Sequence, residues 1–167
     1  PDLLFYRQAS CGLKNRAKLR VRYYDDDWDQ PAFLEIKRRV SDVICKERAM
    51  ISREVVRQLL RHGWPSLARE SGERVGDSDK RLAAVRQHFS HLCSTARAYP
   101  MLYVSYIREA YVVADHGDVR VTLDRQIRAT AYEGEDRVGV PTRGVAPKPS
   151  FLAPGSVVLE LKFNGSC

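Results

Sequence analysis

From Lys18 to Tyr24 basic and apolar residues alternate one by one, with Lys18, Arg20 and Arg22 on one side and Leu19, Val21 and Tyr23 on the other. A period of two is the spacing of a β-strand whose two faces differ in chemistry. The run Asp25-Asp26-Asp27-Trp28-Asp29-Gln30-Pro31 is rich in turn formers and predicts a hairpin into a second alternating segment, Phe33–Val40. There Leu34 and Ile36 oppose Glu35, Lys37 and Arg39. Past Ser41-Asp42, a third strand over Val43–Arg48 places Lys46 and Arg48 together on one face.

The spacing then turns helical. Ile51, Val55, Val56, Leu59 and Leu60 share one side, with Arg53, Arg57 and Arg61 largely elsewhere, until Gly63 and Pro65 stop the pattern. A polar connector, Glu70–Asp77, leads to a second helix capped by Ser78 or Asp79, with a stripe of Leu82, Val85, Phe89, Leu92 and Ala96 that ends near Pro100. Both helices are expected to cover the outside of a sheet. Strands resume over Leu102–Val113, where Val104, Tyr106 and Arg108 share a face, and over Val119–Ile127, where Arg120, Thr122 and Asp124 do. His116-Gly117-Asp118 is the turn between them. Glu133–Gly155 has no period and is rich in Gly, Pro and charge, which predicts a long loop. The last strand, Val157–Phe163, sets Glu160 and Lys162 opposite Leu159 and Leu161.

Length and composition, 167 residues of which 44% are hydrophobic and 29% charged, suit one folded domain rather than a disordered tail. The formal charge of +7 points to a polyanionic partner, whether polyphosphate, nucleotide, nucleic acid or an anionic membrane. No apolar run approaches the ~20 residues that cross a bilayer. This segment is therefore expected to be soluble, with a membrane-linked parent protein left open. The opening Pro1-Asp2-Leu3-Leu4-Phe5-Tyr6-Arg7 has neither the blocks of a signal peptide nor an initiator Met, so the segment reads as the middle of a longer chain. Cys11, Cys45, Cys93 and Cys167 form no Cys-x-x-Cys pair, and reduced thiols in the cytoplasm are the expectation.

Charge alone does not choose among polyanions, but its placement narrows the field. The polar faces collect Lys18, Arg20, Arg22, Lys37, Arg39, Lys46, Arg48, Arg108, Arg120 and Lys162, with the carboxylates Glu35, Asp124 and Glu160 among them. On one strand this is an ordinary wet face. On strand after strand it sets like charges side by side, which is unfavourable unless anions lie between them. If the sheet closes into a barrel, these residues line a lumen that a polyphosphate chain would fill, with Arg as forked donor and Lys as point charge. A carboxylate beside phosphates calls for a divalent cation, which makes Glu160 the first choice as metal ligand. The plainer alternative is an ion pair from Glu160 to a lumen arginine.

The segments Lys18-Leu19-Arg20-Val21-Arg22-Tyr23-Tyr24, Phe33-Leu34-Glu35-Ile36-Lys37, Lys46-Glu47-Arg48, Tyr106-Ile107-Arg108-Glu109-Ala110-Tyr111, Val119-Arg120-Val121-Thr122-Leu123-Asp124 and Leu159-Glu160-Leu161-Lys162-Phe163 resemble, in that order, the VTC domain. This is the polyphosphate polymerase domain of the vacuolar transporter chaperone proteins, among the triphosphate tunnel metalloenzymes. The resemblance implies an α+β fold in which an antiparallel β tunnel carries helices on its outside. It implies ATP and inorganic polyphosphate as partners, Mn²⁺ or Mg²⁺ as cofactor, and transfer of the γ-phosphate to a growing polyphosphate chain. By matching motif, Arg20, Arg22, Lys37, Lys46, Arg48, Arg108, Arg120 and Lys162 would hold phosphates, with Lys18 beside them on the same face. Lys37, Arg108, Arg120 and Lys162 would act at the transferring group, and Glu160 would hold the metal. The family has a strand before the equivalent of Pro1 and a basic helix after the strand of Glu160, so residues 1–167 are expected to form a single tunnel domain incomplete at both ends.

A triphosphate or polyphosphate hydrolase on the same fold and a non-catalytic polyanion-binding module stand as alternatives. No specific nucleic acid is an expected partner; nucleic acid binding is the last alternative, and since a closed pore would reject duplex, tight and salt-dependent duplex binding would mean an open basic face instead. His88 and His91, three apart on a helix, have no third metal ligand near them in sequence and read as structural. Gly72–Lys80 does not match a phosphate loop. Trp28, Trp64 and the tyrosines are scattered and read as core or rim packing rather than base stacking.

Overall fold

The computed structural model describes residues 3–25, 27, 29–62, 77–112, 119–132 and 155–163. In chain order its elements are α1 (Leu4–Ser10), β1 (Arg16–Arg22), β2 (Ala32–Val40), β3 (Val43–Ile51), α2 (Arg53–His62), α3 (Asp77–Thr95), β4 (Leu102–Val112), β5 (Val119–Ala131) and β6 (Val158–Phe163). The class is α+β, with the strands paired in two antiparallel three-stranded sheets, β1-β2-β3 and β4-β5-β6. Among the described residues no strand of one sheet pairs with a strand of the other, so the barrel expected from the sequence is observed as two sheets. The chain divides into two compact units, the first holding β1–β3 and the three helices, the second holding β4–β6. The expected turn His116–Asp118, the connector from Glu70 to residue 76, the loop from Glu133 to residue 154, and Trp28 and Trp64 lie outside the described residues. No helix of the described residues is long and apolar enough to cross a membrane.

In the first unit the alternating pattern sorts one sheet face for the core. Ala32, Leu34 and Ile36 of β2 and Ala49 and Ile51 of β3 are buried against Val56 and Leu59 of α2 and Val85, Phe89 and Cys93 of α3. Burying a side chain the size of Phe89, which is 1% exposed, contributes roughly 1.5–3 kcal/mol. The helical stripe read from the sequence is therefore the one that packs, and the helices cover the face opposite the lysines. Helix α1 was not expected, because so short an element has too few residues to show a period. It stops at Gly12, whose φ of 64° is a left-handed conformation favourable for glycine. The β2–β3 hairpin turns on Ser41 at φ 53°, and its N–H donates to Asn15 Oδ1 at 2.9 Å.

The two ends of the helical pair are fastened by side chain and backbone. Ser52 Oγ accepts the Val55 N–H at 3.2 Å and caps α2. Arg97, at φ 47°, closes α3, with its own N–H bonded to Ser94 O and the Ala98 N–H reaching Cys93 O at 2.7 Å. That pair of bonds is a Schellman ending with arginine where glycine is usual.

Arg53, which the sequence places off the apolar stripe, is nonetheless buried at 3% exposure, where it opens α2 and bonds to the β1–β2 loop. Its Nε donates to Gln30 O at 3.0 Å, its Nη2 to Asp25 O at 2.6 Å, and its guanidinium lies 4.9 Å from the Tyr23 ring centroid.

In the second unit β5 outlasts its expected end at Ile127 and reaches Ala131. The strand contains an irregularity just before that expected end: Ser105 pairs with Arg128 but Ile107 with Arg125, so Tyr106 alone faces two residues of β5. Gln126, at φ 52°, occupies the extra position, and the bulge keeps both halves of β5 in register with β4. One face carries Arg108, Thr122, Asp124, Arg120, Glu160 and Lys162, while the other presents exposed Leu159, Leu161 and Phe163. Among the described residues this unit holds no helix.

Candidate phosphate-binding faces

Strand register turns the sequence alternation into rows across the first sheet. Lys18 pairs with Lys37 and Lys37 with Lys46, so three ammonium-bearing residues stand abreast. All three are exposed, and none has a hydrogen bond or ion pair among the described residues. Directly opposite residues hold their Cβ atoms about 4.5–5.5 Å apart, close enough for like charges to repel. The next row is Arg20, Glu35 and Arg48. Arg20 Nε donates to Glu35 Oε2 at 2.7 Å, and the Nε atoms of Arg22 and Arg48 stand 3.7 and 3.8 Å from the same carboxylate. Glu35 thus holds three guanidinium groups in place beside the lysines. An arriving phosphate chain would meet point charges in one row and pre-oriented forks in the next.

Of the cations gathered from the sequence, Arg39 is turned away. Its Nε donates to Ser41 O at 2.8 Å and its Nη2 to Asp42 at 3.1 Å, so it belongs to the hairpin turn. A cleft of about 300 Å³ near α1, lined by Leu4, Phe5 and Leu92 with Arg16, Arg38 and Arg39, contains none of the cations that the family resemblance names as phosphate ligands.

The row of lysines makes a signed prediction. Lys37→Gln is expected to raise the stability of the isolated protein by about 0.2–1 kcal/mol, by removing two like-charge contacts, and to weaken polyphosphate binding and flatten its salt dependence. Urea unfolding and polyphosphate titrations at two salt concentrations check both signs, and a stability loss would mean the row is not under repulsion.

The second sheet brings Arg108, Arg120, Glu160 and Lys162 to one face. Arg108 grips Asp124 with both prongs, Nε to Oδ1 at 2.6 Å and Nη2 to Oδ2 at 2.7 Å, which raises the affinity of the guanidinium for its proton still further. Arg120 pairs with Lys162 across β5 and β6, a second like-charge contact. Glu160 lies 3.2 Å from Lys162 Nζ and 4.0 Å from Arg108 Nη2, and accepts from Thr122 Oγ1 at 3.4 Å. The ion pair weighed as the alternative for Glu160 is thus formed, to Lys162 more closely than to an arginine. Burial is the largest single influence on the Glu160 carboxyl and pushes its pKa up, but Lys162, Arg108 and Thr122 together outweigh it and hold the group below the ordinary carboxylate range.

Among the described residues no three His, Cys, Asp or Glu gather into a metal cage. Mg²⁺ and ions like it are commonly held by one or two carboxylates plus the phosphates of the substrate. Glu160, ionised and beside the Thr122 hydroxyl, is a donor set of that kind, so the residues present fit a metal carried by phosphate. His88 is engaged elsewhere: its Nδ1 is 2.8 Å from Glu47, tying α3 to β3.

Two residues escaped the sequence reading of the site. Glu35 and Asp124 were seen only as carboxylates among cations, and their task of orienting arginines depends on register across strands. The signal available was their shared face with Arg20 and Arg108. Compared with known families, residues 1–166 match the model of the VTC domain. Comparison with curated proteins gave no match.

Proposed function

The chain belongs to the VTC domain family, and from that premise we propose that it acts as a polyphosphate polymerase domain. It would bind ATP and a polyphosphate chain on its basic faces and transfer the γ-phosphate to the chain end. The observation that carries the reading is the row Lys18, Lys37 and Lys46, set abreast with no partner among the described residues. Such a row is poor for stability and suited to a chain of phosphates. Residues 1–167 would act as one phosphate-binding domain, with one basic face on each sheet.

Phosphoryl transfer needs no covalent protein nucleophile; it needs alignment and charge neutralisation. Lys18, Arg20, Arg22, Lys46 and Arg48 hold phosphates in this scheme, while Lys37, Arg108, Arg120 and Lys162 neutralise the charge that develops around the transferring group. Asp124 keeps Arg108 aimed. Glu160 would hold Mn²⁺ or Mg²⁺, which when bound supplies charge neutralisation at phosphate oxygens.

Incubation with ATP and Mn²⁺ is expected to produce a ladder of polyphosphate on a gel. Orthophosphate without polymer would instead assign a hydrolase, and tight polyphosphate binding with neither product would assign a binding module.

A further inference from the structure

Along the basic face of the first sheet the chemistry changes in a fixed direction. The lysine row gives way to the arginine–Glu35 row, and that to Arg22, Phe33 and Met50, with Tyr24 just beyond. Tyr24 meets Phe33 edge-to-face, with centroids 5.6 Å apart. Tyr24 is 62% exposed and Met50 49%, so this apolar end lies open to solvent. Two of the expected phosphate ligands touch the same rings: Arg48 lies 3.7 Å from the Phe33 centroid and donates to Tyr24 Oη at 3.1 Å, and Arg22 stands 5.7 Å from the Tyr24 centroid. An aromatic pair in the open, braced by guanidinium groups, is not core packing.

We infer that Tyr24, supported by Phe33 and Met50, is the stacking platform for the base of a bound nucleoside triphosphate. The inference rests on the ATP reading above and adds where the base goes. Lys37 and Phe33 lie four residues apart on β2, about 13 Å along the strand, which is the scale separating a base from the terminal phosphate of an extended nucleotide. Polarity sets the orientation. The adjoining loop carries Asp25, Asp27 and Asp29, which repel phosphates, while the lysine row attracts them. The triphosphate is therefore drawn toward Lys18, Lys37 and Lys46, and the base is left at Tyr24. The guanidinium groups of Arg22 and Arg48 sit between the two and add cation–π contact to an incoming ring.

Stacking on one aromatic side chain predicts that Tyr24→Ala weakens ATP binding by about fivefold to a hundredfold. The same variant should bind tripolyphosphate, which has no base, within about twofold of the parent. Tyr24→Phe keeps the ring and loses the hydroxyl that takes the Arg48 bond, and it should retain the ATP preference. Calorimetric titration of the full chain with ATP and with tripolyphosphate separates these outcomes. Equal weakening of both ligands by Tyr24→Ala would overturn the inference, since Tyr24 would then act on phosphate through Arg48. Unchanged ATP affinity would overturn it too. A parent that binds neither ligand would overturn the phosphate reading itself, and the base platform with it.

Discussion

Glu160→Gln is expected to lower ATP- and Mn²⁺-dependent phosphate transfer by roughly 10²-fold or more. The substitution keeps the shape of the side chain and its contact with Thr122 but removes the charge that a metal ion needs. Without metal, polyphosphate should bind the variant as tightly as the parent or more so, because Lys162, now 3.2 Å from Glu160, is released to face phosphate. The rate thus falls while affinity is kept or rises, a split that a merely structural residue would not produce. Equal turnover in variant and parent would leave Glu160 as the partner of Lys162 and remove it from the metal site.

The pH dependence has a definite sign. With burial outweighed and its carboxyl pKa lowered by Lys162, Arg108 and Thr122, Glu160 stays ionised to lower pH than an unperturbed glutamate. Its contribution is present above the ordinary carboxylate pKa and is lost only as pH falls through the depressed folded-state value. Mn²⁺ affinity measured with tripolyphosphate present should therefore persist at acidities where a free glutamate is already protonated.

Arg53→Ala is expected to destabilise the first unit by about 3 kcal/mol, at the lower end of the cost of breaking a buried charged pair, because Asp25 keeps partial access to water. The loss has three parts. The Asp25 carboxylate loses its ion pair with Arg53 Nη2 at 3.1 Å, the carbonyls of Gln30 and Asp25 lose their donor, and the Tyr23 ring loses the guanidinium stacked on it. Arg53→Lys should recover little, since one ammonium group does not reproduce a planar fork. A urea midpoint unchanged by Arg53→Ala would show that the loop holds itself.

The same arginine illustrates what sequence periodicity could and could not reveal. Alternation placed β1, β2 and β3 and separated their faces, because a half-buried strand leaves a period of two in the residues themselves. The stripe through Val85 and Phe89 placed α3 in the same way. Arg53 lay off the apolar stripe, which says nothing of burial; its burial comes from its bonds to the β1–β2 loop, a contact between distant segments. Gln126 was invisible for a related reason, since one extra residue in β5 shows only when its partner strand is counted beside it. Rows depend on register too. Lys18, Lys37 and Lys46 were each found on a basic face, but that they stand abreast follows from two hairpin turns of particular length, one of them on Ser41.

Those three lysines also couple folding to the surroundings. A cluster of like charges that is tolerated in isolation and relieved by an anion makes the folded state a thermodynamic partner of whatever polyanion is present, stabilised as the logarithm of its free concentration once binding begins. If the row binds phosphate chains as proposed, the first sheet would act as a gauge of them: binding would relieve the repulsion in the row, and polyanion concentration would be read as a change in how much of the chain is folded.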